Sequence, residues 1–491
     1  MGKNNQCQNQ IYNALCSAAG KENVSNSEMV LVTYGFDSSP APPAKPDFVV
    51  MPRDTVSVKN VLEVANRTKT PVTTISGGVN IGGTAVPSQG GIVLDLKWMN
   101  KIVEINEDAA YAVIEAGVTF DELTAKLIER GFRCQIPTSP GGSTPMGNYL
   151  MKPSGSLCNR HLDPFVGMEV VLPNGTIVRT GSSAFPFCGS YLRYALFPDL
   201  TGLFCCSHGT LGVVTRAAIR IYPINESIKI PIVAFDSFAD SIAFVKDVCR
   251  RNIAEHCIIW NRHLYKAYEI DVSPKNELLV PDVLYDDPRI KDSNLPYNMV
   301  TVMMSGYQED METHEKVLER ISKTYSGRLL SKEDIEKNIA RAARSWKSFY
   351  VDYHIPAMDQ TKKYGLGRYI PWIVTAEAKD LVSIEKEAVQ FLDNLKVRPI
   401  CYYSMPFDYG RAMFFRMFSW VDPQDKELIA NIGVLYQDMY KWAMKKYGAT
   451  PFRHRRDPNI LNMTGGYQTL LRGIKNLVDP NNIMNPGVGI F

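Results

Sequence analysis

Apolar positions along the first part of the chain switch between two periods. PDFVVM at 46–51, PVTTI at 71–75 and GIVLDL at 91–96 are β-branched runs of strand length. Between the first two, Val56, Val58, Val61, Leu62 and Ala65 recur at helical spacing, so the stretch predicts a βαβ start with a helix over 55–68. From IPIVAFDSF at 230–238 onward the alternation begins anew. A helix is predicted over 239–251, strands at 257–260 and 299–304, and a helix over 310–324. Strands at 370–375, 400–405 and 412–420 follow. This second series reads as an α+β unit built on an antiparallel sheet. No internal repeat is evident.

Composition narrows the class. A chain of 491 residues suits two or three domains with large cores. Charged residues are 21 % and nearly balanced at a net +3, so neither nucleic acid nor an anionic membrane is expected as the main partner. The N-terminus, MGKNNQCQNQ, lacks an apolar signal-peptide core, and Gln6 stands where a myristoylation pattern takes Ser or Thr. No apolar run reaches the ~18–20 residues of a membrane span, and a soluble cytoplasmic protein is expected. None of the ten cysteines forms a C-x-x-C pair, and the histidines are dispersed without H-x-x-x-H or H-E-x-x-H. Free thiols and no metal site are expected.

The densest chemical signal is SGGVNIGG at 76–83, with four glycines in eight residues, placed between two strands. Without Cβ atoms, successive backbone N–H groups can converge on a pyrophosphate. That is a dinucleotide cradle without the helix that a Rossmann fold supplies, although most such loops are ordinary turns.

Five further stretches follow in order: LDLKWMNKI at 94–102, VIEAGVTFDEL at 113–123, PTSPGGSTPMGN at 137–148, VGMEVVLPNGTIVRTG at 166–181 and PDLTGLFCCSHGTLGVVT at 198–215. With the glycine loop, this series resembles the FAD-binding domain of the vanillyl-alcohol oxidase and p-cresol methylhydroxylase (PCMH) family over about 45–225. LVDPNNIMNPGVGIF at 477–491 resembles the family's closing segment. The resemblance implies an α+β protein whose PCMH-type FAD-binding domain has two α/β subdomains, with a substrate-binding cap on an antiparallel sheet. The boundaries expected are a helical lead and Pro-rich linker at 1–45, the FAD domain at 46–225, the cap at 226–450 and a returning C-terminal segment at 451–491. It further implies that Ser76, Gly77, Gly78, Val79, Asn80 and Ile81 hold the pyrophosphate. Thr138, Gly141, Gly142, Ser143, Gly147 and Asn148 form a second FAD contact, while Glu169, Val213, Val214, Thr215 and Asn485 run beside the adenine or flavin.

Family members often attach FAD covalently through His, Cys or Tyr. Here the glycine loop carries Val79 after its paired glycines and the second loop carries Ile136, with Cys134 two residues earlier. FDYGRAMFFRMFSW at 407–420, which resembles the family's linkage strand, has no His and offers Tyr409 alone. Noncovalent FAD is the expectation, with a Tyr409 linkage as the alternative.

In the phenol-oxidising branch a G-D-H carboxylate precedes the GMEVV strand. This chain reads NRHLDPF there, so Arg160 replaces the carboxylate, His161 keeps the histidine, and Asp163 is a substitute base. A guanidinium cannot act as a base at neutral pH but pairs bidentately with carboxylates. PFRHRRDP at 451–458 resembles the family's Tyr-Arg phenolate segment, with Phe452 for the tyrosine and Arg453 keeping the arginine. If the segment is extended, Arg453 and Arg455 face opposite to His454 and Arg456; the bland alternative is a solvated basic run. The resulting expectation is that Arg160 and Arg453 fix an anionic or phenolic substrate while His161 or His454 accepts a proton. Tyr369, Trp372, Tyr402, Tyr403 and Tyr409 are candidate apolar walls.

The function implied is an FAD-dependent oxidoreductase acting on a small phenolic or carboxylated alcohol or alkylphenol. SHGTLGVVT at 207–215 also resembles the glycolate oxidase flavoprotein subunit, which makes a 2-hydroxyacid dehydrogenase the runner-up. A noncatalytic or electron-transferring subunit is the alternative of another class. A homodimer, paired through the cap as the family suggests, or a place in a larger flavoprotein complex is expected; the electron acceptor is unknown.

Overall fold

The computed structural model describes residues 2–37, 39, 41–79, 82–135, 139–152, 158–159, 163–269, 296–340, 343–344, 347, 368–395, 397, 401–422, 424–453 and 462–488. Three sheets carry the fold. The first orders Val24–Ser25, Phe48–Val50, Ile92–Asp95 and Val72–Ile75, and its last three strands run parallel. The helix Thr55–Thr68 makes the crossover. It starts where the Asp54 carboxylate accepts the Ser57 N–H, and it turns off at Lys69 in the left-handed region. Its Val58, Val61, Leu62 and Ala65 are buried, as a helical period facing a sheet requires.

The second sheet is antiparallel and is organised by Val213–Pro223. That strand pairs with Tyr111–Glu115, Phe165–Val171 and Phe132–Cys134. The C-terminus ties back to the first sheet: Val72 N donates to Ile483 O at 2.7 Å and Asn485 N to Val72 O at 2.8 Å.

The third sheet, nine-stranded, carries Ile232–Phe235, His256–Asn261, Asn298–Gly306, Arg368–Ala376, Cys401–Phe407 and Ala412–Val421 among its members. Strand alternation sorts its side chains between two cores. Tyr402, Phe415 and Met417 pack outward, in one cluster with Phe244 and Val245 of the helix Phe238–Arg250, Leu318 of Gln308–Thr324, Ile384 of Leu381–Asn394 and Tyr436 of Lys426–Tyr447. Tyr403, Phe414 and Phe418 face inward and share a cluster with Ile92 of the first sheet, Ile114 and Ile219 of the second, Phe120 of the helix Phe120–Ile128 and Met484 of the C-terminal segment. The N-terminal helix Gly2–Ala19 joins that cluster through Leu15 and Ala19. Among the described residues no helix is long and apolar enough to cross a membrane.

Candidate active site

The parallel strand Val72–Ile75 ends in Ser76, Gly77, Gly78 and Val79, and these four line a cavity of about 1380 Å³, open solvent at its mouth included. Gly78 has φ +71°, and a Cβ built there meets nothing within 4 Å. The position therefore needs glycine for its conformation and leaves the backbone open to a ligand. A Cβ at Gly77 would lie 3.1 Å from Thr144 Cγ2 and 3.2 Å from its backbone nitrogen.

Thr144 belongs to the second wall. Its Oγ1 accepts the Gly147 N–H at the start of Pro145–Leu150 and lies 2.9 Å from Ser76 Oγ, which locks the two glycine-bearing loops together. A Cβ on Gly147 would fall 2.7 Å from Ser76 Oγ. Ser143, Gly147 and Asn148 line the cavity. Opposite them run Ser207, His208 and Gly209, with His208 at φ +55°. Asn485 closes this side, its Nδ2 donating to His208 O at 2.7 Å and to Thr84 O at 3.2 Å. Lys475 Nζ pins the same corner by donating to Asp479, Thr210 O and Met484 O.

Three buried oxygens of cavity-lining residues, Thr74 Oγ1, Asn148 Oδ1 and Asn485 Oδ1, have no hydrogen-bond partner among the described residues. Buried acceptors are costly when unsatisfied. Three around one cavity fit a ligand that presents hydroxyl or N–H donors beside a pyrophosphate, as FAD does.

Arg453 enters from the cap side. The short strand Thr450–Pro451 pairs with Val374 and Thr375, and Phe452 beyond it is buried against Phe407 and Phe414 at ring separations of 5.5 and 4.7 Å. That anchor delivers Arg453 to the cavity wall, where it donates to the carbonyls of Met151 (3.1 Å), Asn148 (3.3 Å) and Lys152 (2.6 Å). Among the described residues no carboxylate pairs with it. The residue is half-buried and lines the cavity. Burial, and secondarily the Arg416 charge, push its pKa down to about 10, so it is still a cation at neutral pH. Arg416 itself donates to Tyr403 Oη at 2.7 Å and stacks over that ring.

The structure thus brings Ser76, Gly77, Gly78, Val79, Ser143, Gly147, Asn148, Val214, Asn485 and Arg453 to one cavity. Asn80, Ile81, Thr138, Arg160, His161 and His454 lie outside the described residues, as does the side chain of Tyr369. The rest stand elsewhere. Glu169 is pinned by Thr55 (2.8 Å), Thr215 (3.1 Å) and Arg179 (3.0 Å), joining helix Thr55–Thr68 to the second sheet. Burial opposes its ionisation, but the hydrogen bonds from Thr55 and Arg179 win and its pKa is lowered. Thr215 spends its hydroxyl on Glu169 and Val213 is strand core. Gly141 packs against the Asp121 carboxylate, and neither it nor Gly142 lines the cavity. Tyr409 sits in the turn between Cys401–Phe407 and Ala412–Val421 at φ +60°, 39 % exposed and beside Gly410, which abuts Cys249. Asp163 pairs with Arg193, and buried Cys134, raised to about 11 by burial, is not at the cavity. Trp372 and Tyr402 belong to the outer core of the cap. His208, Thr74 and Phe204 line the cavity without having been singled out, although His208 lies inside the quoted SHGTLG stretch.

The sequence pattern of the FAD binding domain family matches residues 46–181. The chain is 32 % identical over 248 residues to the glycolate oxidase subunit GlcD of Bacillus subtilis, covering 50 % of this chain and 51 % of that protein. It is 27 % identical over 331 residues to the 4-cresol dehydrogenase (hydroxylating) flavoprotein subunit of Pseudomonas putida, covering 64 % of this chain and 63 % of that one. The chain spans about half the length of the curated relatives it matches. Among solved structures, p-cresol methylhydroxylase with substrate bound superposes with a TM-score of 0.85 at 22 % identity, over 99 % of this chain and 97 % of the other. FAD is accordingly the cofactor that the two-loop cavity fits: residues 46–181 carry the pattern of an FAD binding domain, and the chain has the fold of p-cresol methylhydroxylase.

Proposed function

We propose that the protein is an FAD-dependent oxidoreductase that takes hydride from an activated C–H of a small anionic substrate, phenolic or carboxylated. The observation that carries this reading is Arg453. Arg453 meets no carboxylate among the described residues, a buried cation left so costs several kcal/mol, and a guanidinium is built to receive a carboxylate or phenolate. Arg453 stands on the cavity that the FAD loops line, so its charge is compensated when an anionic substrate enters.

Bound FAD supplies the hydride acceptor at N5. The chain supplies the rest. Gly77 and Gly78 let the backbone approach the pyrophosphate, while Thr74, Asn148 and Asn485 offer acceptors to the ligand's donors. Arg453 orients the substrate through its anionic end, and Ile373 and Met151 form apolar wall beside it. Arg160 remains a candidate second anion contact, His161 and His454 remain candidate proton acceptors, and a homodimer in the cytoplasm remains the expectation for the whole molecule.

A 2-hydroxyacid substrate is the second reading, favoured by the identity to the glycolate oxidase subunit over half the chain. Anaerobic mixing of the yellow holoprotein with a panel of alkylphenols, benzylic alcohols and 2-hydroxyacids separates the readings. Bleaching by the phenolic series supports the first and bleaching by the hydroxyacids the second. A flavin that no member bleaches contradicts both and favours a noncatalytic subunit.

A further inference from the structure

One wall of the FAD cavity is a four-residue turn. Thr210 N donates to Ser207 O at 3.0 Å, and the two residues between them, His208 and Gly209, take φ +55° and +71°. Two positive φ values in succession mark a type I′ turn, which Asn-Gly fills at little cost. Here a histidine is held in a region that most side chains avoid. Such conformations persist where the surroundings enforce them, commonly at ligand sites.

The surroundings enforce this one. Asn485 Nδ2 donates to His208 O at 2.7 Å and to Thr84 O at 3.2 Å, tying the turn to the end of the glycine loop. Thr210 Oγ1 donates to Ser207 O at 2.6 Å, and the buried Lys475 Nζ donates to Thr210 O at 2.8 Å. A Cβ built on Gly209 would lie 3.9 Å from Thr74 Cβ, on the strand that leads into the glycine loop. The turn is therefore rigid, adjacent to the cradle, and presents an imidazole at the cavity wall.

Charge makes that imidazole matter. Among the described residues that line the cavity, Arg453 is the one with a fixed charge, and it enters from the cap side; His208 is the one that titrates near neutral pH. The FAD diphosphate brings two negative charges to a loop whose own donors are neutral. The fixed charge bonded to the end of that loop is negative, since the Asp37 carboxylate accepts the Gly83 N–H at 2.8 Å. Lys475 pairs with Asp479 and adds no net charge at this corner. Burial pushes the Cys206 thiol up, against smaller pulls from Lys152 and Arg453, so it stays neutral. Anions drawn out of water need compensation, and His208 can supply it.

We propose that His208 is a cofactor-binding residue charged by its ligand: neutral in the empty cavity, its imidazole takes one proton from solvent as the FAD diphosphate binds and returns it as FAD leaves. The direction follows from linkage. FAD favours the protonated ring, so the ring keeps its proton to higher pH in the complex than in the free chain. Affinity is highest at low pH and is lost as pH rises between those two limits. With one proton taken up, Kd rises by about tenfold per pH unit in that window. The whole change is about ten- to a hundredfold, the worth of one hydrogen bond to a charged group.

The test titrates the stripped full-length chain with FAD, followed by quenching of flavin fluorescence, in steps from about pH 5 to 8, for wild type and His208→Asn. Neither the diphosphate nor the isoalloxazine of FAD titrates in that range. Asn adopts positive φ readily, so it keeps the turn while removing the titrating group. The wild-type Kd is expected to weaken with rising pH, and the variant's to stay flat at the wild type's alkaline value, with equal melting temperatures of the two apoproteins. Calorimetry of FAD binding in two buffers of different ionisation heat is expected to show proton uptake in wild type and none in the variant. FAD binding by wild type with a Kd independent of pH overturns the proposal, and so does a pH dependence or a proton uptake that survives in His208→Asn.

Discussion

Gly78 is the position where a substitution separates the cradle from the fold. Its φ of +71° lies in the left-handed region, and a Cβ there touches no protein atom within 4 Å. Gly78→Asn adopts that conformation at little cost, because Asn tolerates it. Gly78→Val pays ~1–2 kcal/mol or somewhat more, since a branched Cβ resists positive φ. Neither variant clashes with the protein, so both should fold. Both should nevertheless lose FAD, because a side chain now stands where the backbone N–H meets the pyrophosphate. Losing one hydrogen bond to a charged group is worth ~1.5–3 kcal/mol, or about ten- to a hundredfold in Kd. The assay is titration of apoprotein with FAD, followed by quenching of flavin fluorescence, beside a thermal melt of each apoprotein. Equal weakening in both variants, with the Asn variant melting like wild type, is the expected result. Unchanged FAD affinity in Gly78→Asn would refute the assignment of this loop as the cradle.

Acid precipitation of the holoprotein should release all the yellow colour, since Tyr409 stands in a surface turn; colour kept in the washed pellet would show a covalent bond. Glu169→Gln should remove part of the acid sensitivity of folding without changing FAD content. The Glu169 pKa is lowered in the folded state, so its stabilisation is present above the unfolded carboxylate value near ~4.3 and is lost as pH falls through the folded one. Thermal melts between neutral and acid pH check this, and an unaltered acid limb would contradict it. Phe414→Ala should cost ~3–5 kcal/mol, because the ring is fully buried between Tyr403 and Phe452 where cap and FAD sheets share a core; a denaturant midpoint unchanged from wild type would contradict it.

Much of the fold was legible because the local signals agree with each other. The helix predicted over 55–68 is Thr55–Thr68, and the apolar runs at 71–75, 91–96 and 412–420 are strands. The site was legible where glycine chemistry is distinctive, at Gly77, Gly78 and Gly147. It was illegible where both faces of a strand are covered. Phe165–Val171 is buried throughout, so alternation could not say which way Glu169 points. Adjacent Tyr402 and Tyr403 look equivalent in sequence, yet the pleat sends one outward and the other to Arg416. Tyr409, the alternative attachment point, stands in a hairpin turn that D-Y-G announces, where Asp408, Tyr409 and Gly410 all take positive φ. Thr74 and Asn485 owe their places to the pairing of Val72 with the C-terminal segment, a contact across about four hundred residues that no local pattern reveals.

The central claim, that Arg453 anchors an anionic substrate beside the flavin, is tested most directly by anaerobic stopped-flow reduction of Arg453→Met against wild type, using whichever panel member bleaches the flavin. Truncating one partner of a buried charged contact costs ~2–5 kcal/mol, about 30-fold to several-thousand-fold in apparent substrate affinity. The account predicts that loss with FAD content and melting temperature retained, and only partial rescue by Arg453→Lys. Unchanged saturation, or flavin and stability lost together, would contradict it.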